Sequence, residues 1–368
     1  MTGASEPKTT ADAGVEGEKA CPAGEHTPRW LHWVTRISIV IGLIALVITV
    51  WIVGPHTLWE QLRKIGWFFI ALIALEIVTS ICDATAIYFM ADGPGRPSWR
   101  DTVVAQLAGR GINSITPGGN LGEAVKVGLL AQRCSPRRIV AAVMYVNLVA
   151  VVINFAVIAV CSAATAFMFD LPRAAFIGLL VGAAVAAAIA VGIMFLIKRG
   201  MLSTLSNALA HMHIISKKRR QSWNNTLEEV DRRLRGQDTA HKSKATLFIA
   251  ISQIGQKGLT YATVLAAGYM LSPGQFMAYC SAGVLLGWIS TIIPMGLGIS
   301  EGGNVALFSL IGAPASLGLA LALARRVNQI AFAIIGFFVL TADRVASRVK
   351  GRVKVPLLGK LKPSASHS

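Results

Sequence analysis

Pro117-Gly118-Gly119-Asn120-Leu121-Gly122-Glu123 and Pro294-Met295-Gly296-Leu297-Gly298-Ile299-Ser300-Glu301 each interrupt an apolar stretch with proline and glycines, then present a glutamate. Lipid offers no partner to freed backbone N–H and C=O groups. A helix broken at membrane depth therefore persists only where protein buries it or where it lines a polar cavity. An ionisable side chain beside such a break marks a functional site. The same pattern in corresponding halves of one chain is the signature of a transport-type site built from a repeat.

The surrounding composition agrees. Hydrophobic residues make up 54% of the chain and charged residues 14%, and the mean hydropathy is +0.59. Soluble domains carry about 25% charged residues, so the sequence predicts an all-α integral membrane protein. Ile37–Trp59, Ile139–Phe169, Ala174–Ile197 and Gly302–Ala324 hold no formal charge. Each is long enough for a hydrocarbon core that needs about 20 apolar residues. Gly66–Met90 reads as a further span containing Glu76 and Asp83, and Ala245–Met270 as another containing Lys257. Leu259–Ser300 runs 42 residues without a charge and contains Pro273-Gly274, so it must turn back on itself.

Residues 1–33 are expected to form a disordered cytoplasmic tail: up to residue 28 they are Ser, Thr, Gly, Pro, Glu and Lys-rich without apolar periodicity. Trp30, Trp33 and Arg36 mark the entry to the membrane. Residues 34–343 are the expected transmembrane domain, with 198–244 a basic cytoplasmic linker, and 344–368 a basic cytoplasmic tail. Lys198–Lys244 carries eleven Lys/Arg against four Asp/Glu, and the stretch from Asp343 onward seven against one. The positive-inside rule assigns both to the cytoplasm. Counting crossings outward from them, the first broken hairpin enters from inside and the second from outside. The predicted architecture is a polytopic bundle of two inverted repeats, each with a broken hairpin, re-entrant or fully spanning.

The formal net charge of +17 is explained by topology, or by contact with anionic lipid; it does not indicate a nucleic-acid partner. Trp223–Leu234 places Leu227, Val230 and Leu234 on one face beside arginines, as an interfacial or a solvated helix would. The five cysteines show no metal-ligand spacing and read as small apolar packing residues. No HExxH, Walker loop, dinucleotide fingerprint or nucleophile–base constellation occurs. The sequence therefore predicts no enzyme, no cofactor and no metal.

In the first hairpin Arg110, Asn113 and Thr116–Pro117 fall on one face of the entering helix, and Glu123 and Lys126 share a face of the exiting one. Pro117, Gly118 and Gly119 make a turn that frees helix-terminal amides to meet an anion. A tight hairpin whose charges pair internally, Arg110 with Glu123, fits the same residues. In the second, Asn304 shares the face of Glu301, and Arg325 and Arg326 are candidate partners for Glu301 or for a ligand phosphate. Gly296, Gly298, Gly302 and Gly303 also suit close helix packing. Glu76, Asp83 and Lys257 read as a structural ion pair between halves. Asn147 and Asn154 lie at i, i+7, as do Glu76 and Asp83, and Gln253 and Lys257 lie at i, i+4.

Arg110 to Glu123, followed by Lys126 and Leu129-Leu130, resembles the first signature of the lysylphosphatidylglycerol synthase transmembrane-domain family. Pro294 to Gly303 and the Ala/Leu-rich helix leading to Arg326 resemble the second. The likeness covers roughly Val34 to Arg344. It implies a flippase-like domain of a bacterial inner membrane, both termini cytoplasmic, with a lipid cavity lined by Arg110, Asn113, Pro117, Glu123, Lys126, Pro294, Gly296, Gly298, Glu301 and Arg326. Lys126 stands where the family more often has arginine. The full-length synthases carry an aminoacyl-transferring domain after the membrane part, whereas about 25 residues follow Arg344 here. The function expected is translocation of an amphipathic lipid, anionic-headed or of isoprenoid/hopanoid type, without ATP. Membrane lipids, and a lipid-biosynthetic enzyme, are the expected partners. The alternatives are a membrane scaffold for a lipid-modifying enzyme and a small-solute secondary transporter.

Overall fold

The computed structural model describes residues 66–93, 95–116, 121–132, 134–170, 172–199, 232, 236, 238–290 and 299–349. The expected span within 37–59, most of the basic linker with its amphipathic stretch, and both hairpin tips with Pro117, Gly118, Gly119, Pro294, Gly296 and Gly298 lie outside the described residues.

Among the described residues all regular structure is helical: α1 (Phe68–Met90), α2 (Trp99–Ile115), α3 (Leu121–Leu130), α4 (Pro136–Met168), α5 (Arg173–Arg199), α6 (Thr239–Ala266), α7 (Pro273–Ser290), α8 (Ile299–Leu310) and α9 (Ala315–Val349). Local chemistry sets their limits. Ser98 caps α2, its Oγ accepting from the Asp101 N–H at 3.2 Å, and Asp238 caps α6 through the Ala240 N–H. Before α7, Ser272 and Gln275 accept each other's backbone N–H at 3.2 and 3.1 Å, a reciprocal cap that satisfies two orphan donors. Pro136 opens α4, where its missing N–H costs nothing. Gly312, at φ +71°, makes the turn between α8 and α9. Helix α9 continues past the expected boundary at 343.

Among the described residues four helices are long and apolar enough to cross a membrane: α1, α4, α5 and Ala315–Ala342 of α9. The chain is thus a membrane protein with several candidate spans. Helix α6, read as a span from sequence, is not among the four; Ser252, Gln253, Gln256 and Lys257 lower its hydropathy. Helix α5 packs on α4 and leaves Ile177, Val181, Val185, Val191 and Phe195 exposed, the surface a lipid-facing helix presents.

The remaining helices pack as α1 on α6, α1 on α2, α2 on α3, α2 on α9, α3 on α4, α4 on α7, α7 on α8 and α8 on α9, with lesser contacts of α4 and α9 to α1 and α6. Two apolar clusters sit at opposite ends of α4 and α6. One joins Ile87 and Met90 to Leu130, Ile139, Val146 and Ile249. The other joins Val264 and Leu271 to Tyr279, Phe308 and Leu321. Where α2 crosses α9 the backbones touch. A Cβ on Gly111 would lie 2.9 Å from the Gly336 Cα and 3.0 Å from the Phe332 carbonyl oxygen, so only glycine permits this approach.

Candidate functional site

Helix α2 carries Arg110 into a gap beside α1. Its guanidinium Nη1 donates to Asp83 Oδ2 at 3.2 Å, and its Nε lies 3.5 Å from Glu76 Oε1. Glu76 also accepts from the Asn328 amide of α9. Because α1 places Glu76 and Asp83 two turns apart on one side, a single arginine fork reaches both. This corrects two expectations. Arg110 does not pair with Glu123, and neither Glu76 nor Asp83 pairs with Lys257; helix α2 brings a guanidinium to those carboxylates instead.

Three residues further along α2, Asn113 turns to the other arm of the hairpin. Its Oδ1 accepts from the Gly122 N–H at 2.6 Å and its Nδ2 donates to Glu123 Oε1 at 3.1 Å. Asn113 thus satisfies a first-turn amide of α3, one of the donors a helix start leaves open. Thr116, expected on the same face, bonds back to the Ile112 carbonyl and is buried. Glu123 also takes the Lys126 ammonium at 2.8 Å and the Asn147 amide of α4 at 3.2 Å. Lys126 is 5% exposed, so its charge is neutralised within the protein, as burial demands.

Around the second break, Arg326 of α9 pairs with Glu301 of α8. Asn304 accepts from the Tyr279 hydroxyl at 3.1 Å and donates to the Ser300 carbonyl at 2.6 Å. Arg325 goes elsewhere: Nη2 donates to Thr260 Oγ1 at 3.2 Å, and its guanidinium carbon lies 5.8 Å from the centre of the Tyr279 ring. Lys257 donates to Asn154 Oδ1 at 3.1 Å, while the Asn154 amide donates to Gln253 at 3.0 Å. Asn147 and Asn154, one spacing in the sequence, therefore serve α3 and α6 respectively. Lys257, Thr260, Tyr279, Cys280, Gly283, Val284 and Arg325 line a cavity of about 50 Å³.

The glycines of the second motif divide. A Cβ on Gly303 would strike Leu286 of α7, whereas one on Gly302 meets open space, so close packing explains the first alone. Cys82, Cys134, Cys161 and Cys280 are buried free thiols, Cys134 beside the Arg138 guanidinium and Cys280 on the wall of that cavity. Among the described residues no group of His, Cys, Asp and Glu has the makings of a metal site.

Sequence reading missed Asn328, Tyr279 and Thr260. Each is a polar side chain in an apolar helix, and that is the only signal each carried. Asn147 and Asn154 carried the same signal and were noted without partners.

The family described as Lysylphosphatidylglycerol synthase TM region matches residues 33–336. No curated protein and no solved structure matches the chain.

Proposed function

The chain belongs to the lysylphosphatidylglycerol synthase TM-region family, and on that premise we propose that it translocates an amphipathic lipid across the inner membrane without ATP and without altering it chemically. The observation that carries the reading is the arrangement after each break. At the third residue of α3 and of α8 stands a glutamate, Glu123 or Glu301, engaged with a buried cation, Lys126 or Arg326. A carboxylate–cation pair at membrane depth can part to receive an anionic head and close again when the lipid leaves. Arg110, Lys126 and Arg326 bind the head in this scheme. Glu123 and Glu301 hold the cations, or accept protons, between cycles, and the apolar part of the lipid stays in the bilayer.

Inverted, re-entrant hairpins are part of the proposal, and three features support them. Helices α3 and α8 have 10 and 12 residues; at 1.5 Å per residue they reach about 15 and 18 Å, some half of a hydrocarbon core about 30 Å thick. The open ends of the hairpins belong to apolar clusters at opposite ends of α4 and α6. Exchanging α1 with α6, α2 with α7, α3 with α8 and α4 with α9 maps the packing pairs onto one another in kind though not in extent, except that α1·α2 has no substantial counterpart in α6·α7. Such a pair of repeats rocks about a fixed site. With the basic linker and tail inside, both termini are cytoplasmic.

Reconstitution into vesicles with a headgroup-labelled lipid tests the proposal. Wild type moves the label to the other leaflet, whereas Glu123→Gln and Glu301→Gln insert normally and do not. Full transport by both variants would remove the role assigned to the glutamates.

A further inference from the structure

Five cations on the described hairpin helices and on the long helices beside them fall into two groups. Arg110, Lys126 and Arg326 are each matched to carboxylates: Glu76 and Asp83, Glu123, and Glu301. Lys257 and Arg325 are not. Among the described residues their hydrogen-bond partners are neutral oxygens, those of Asn154, Thr260 and Tyr279. Both are half-buried and both line one cavity, together with Thr260 and the buried Tyr279 and without a carboxylate. Leaving an ammonium and a guanidinium side by side in an apolar bundle is unfavourable. A ligand that supplies negative charge there reverses the sign.

We propose that Lys257 and Arg325 form a binding subsite for a phosphate group, with Thr260 and Tyr279 holding Arg325 and lining the cavity. A lysine carries three donors and an arginine five; Lys257 gives one N–H to Asn154, and Arg325 engages Thr260 and Tyr279, so both keep donors in reserve. The remaining donors, with the guanidinium fork, suit an acceptor having several oxygens around one centre. On α6, Lys257 and Thr260 are i, i+3 neighbours on one face, and Arg325 closes the site from α9. Gly283 makes room for the tyrosine, since a Cβ there would lie 2.9 Å from the Tyr279 ring. The size fits: a water needs roughly 10–15 Å³ of such space. About 50 Å³ admits a group of a few heavy atoms and leaves any acyl chain outside. The phosphate belongs either to a lipid head or to free phosphate in the aqueous phase. The lipid case rests on the transport reading above and adds to it the chemical class of the head.

The test is equilibrium binding to the purified full-length chain in detergent, read by native mass spectrometry. Dihexanoyl phosphatidic acid is the probe, dihexanoylglycerol the neutral control and inorganic phosphate the competitor. Wild type retains the phosphatidate and not the control. Lys257→Gln/Arg325→Gln weakens retention by at least about tenfold, the loss expected for one charge-assisted hydrogen bond. Lys257→Arg/Arg325→Lys, which keeps both charges, retains binding. If the double neutral variant does not fold, the single variants each show a smaller loss in the same assay. Displacement by millimolar inorganic phosphate assigns the site to free phosphate; persistence of the lipid assigns it to the headgroup, and either supports the subsite. Equal retention of phosphatidate by wild type and the neutral variants, or no preference over the neutral control, overturns it. Binding through these residues in a protein that translocates no lipid refutes the transport reading and leaves the subsite standing. Translocation by wild type with unchanged binding in the neutral variants refutes the subsite alone.

Discussion

Around the first hairpin three carboxylates, Glu76, Asp83 and Glu123, meet two cations, Arg110 and Lys126; around the second, among the described residues, Glu301 meets Arg326 while Lys257 and Arg325 rest on neutral oxygens. The described helices of the two halves follow a similar order, a long helix, two shorter helices and a long helix, yet differ in charge. In the first half Arg110 and Lys126 are locked by acids within the fold, and amides of Asn113, Asn147 and Asn328 donate to the same glutamates. In the second half one ion pair is matched and two cations rest on neutral oxygens beside a cavity. Equivalent architecture therefore does not imply equivalent chemistry. One half holds itself together electrostatically, and the other has positive charge to offer.

Removing Arg110 is the severest way to break the comparison. Arg110→Leu leaves Asp83 and Glu76 facing each other without a cation, a loss of about 3–5 kcal/mol for a broken buried pair. Thermal unfolding in nanodiscs should show a collapse of stability, and adding Asp83→Leu should restore part of it. Next comes the crossing that sets α2 against α9. Gly336→Val forces the helices apart at Gly111 and should cost about 1–3 kcal/mol, read from the same melts; a surface substitution such as Val181→Ala on α5 should leave them unchanged.

Tyr279→Phe strips the buried Asn304 oxygen of its hydroxyl donor. A loss of about 1–3 kcal/mol is expected for an acceptor left unsatisfied, with no change in net charge. The smallest effect sharpens the contrast most. Lys257→Met removes a cation that no carboxylate matches, and relief of its desolvation offsets the lost bond to Asn154, so stability should move by less than about 1 kcal/mol in either direction. If Lys257→Met instead unfolds the protein as Arg110→Leu does, the two halves are electrostatically alike and the comparison fails.

The breaks, the glutamates and the cations were legible because lipid makes each such residue improbable without a purpose, and none is hidden among ordinary surface charge. Their pairing was not. Spacing along α2 places Arg110 and Asn113 on one side, but it does not say that α1 stands against the first and α3 against the second. The Glu301–Arg326 pair was within reach because few cations exist in that half; the Arg110 pairing was not, because four charged residues competed for partners. Helix α6 shows the reverse failing. Its length and placement read as a span, while its polar side chains make it the least lipid-like of the long helices and pack it against α1 and α4.

The sequence by itself determined that this is a helical membrane protein, which ionisable residues lie within its apolar stretches and which family it joins, since composition, periodicity and motif spacing are properties of the chain alone. Tertiary structure decided which charges meet, that Gly111 and Gly336 touch, and that Lys257 and Arg325 share a cavity without an acid. Those outcomes depend on which helix faces are brought together in space, and electrostatic partnership at a few ångströms is set by that juxtaposition rather than by distance along the chain.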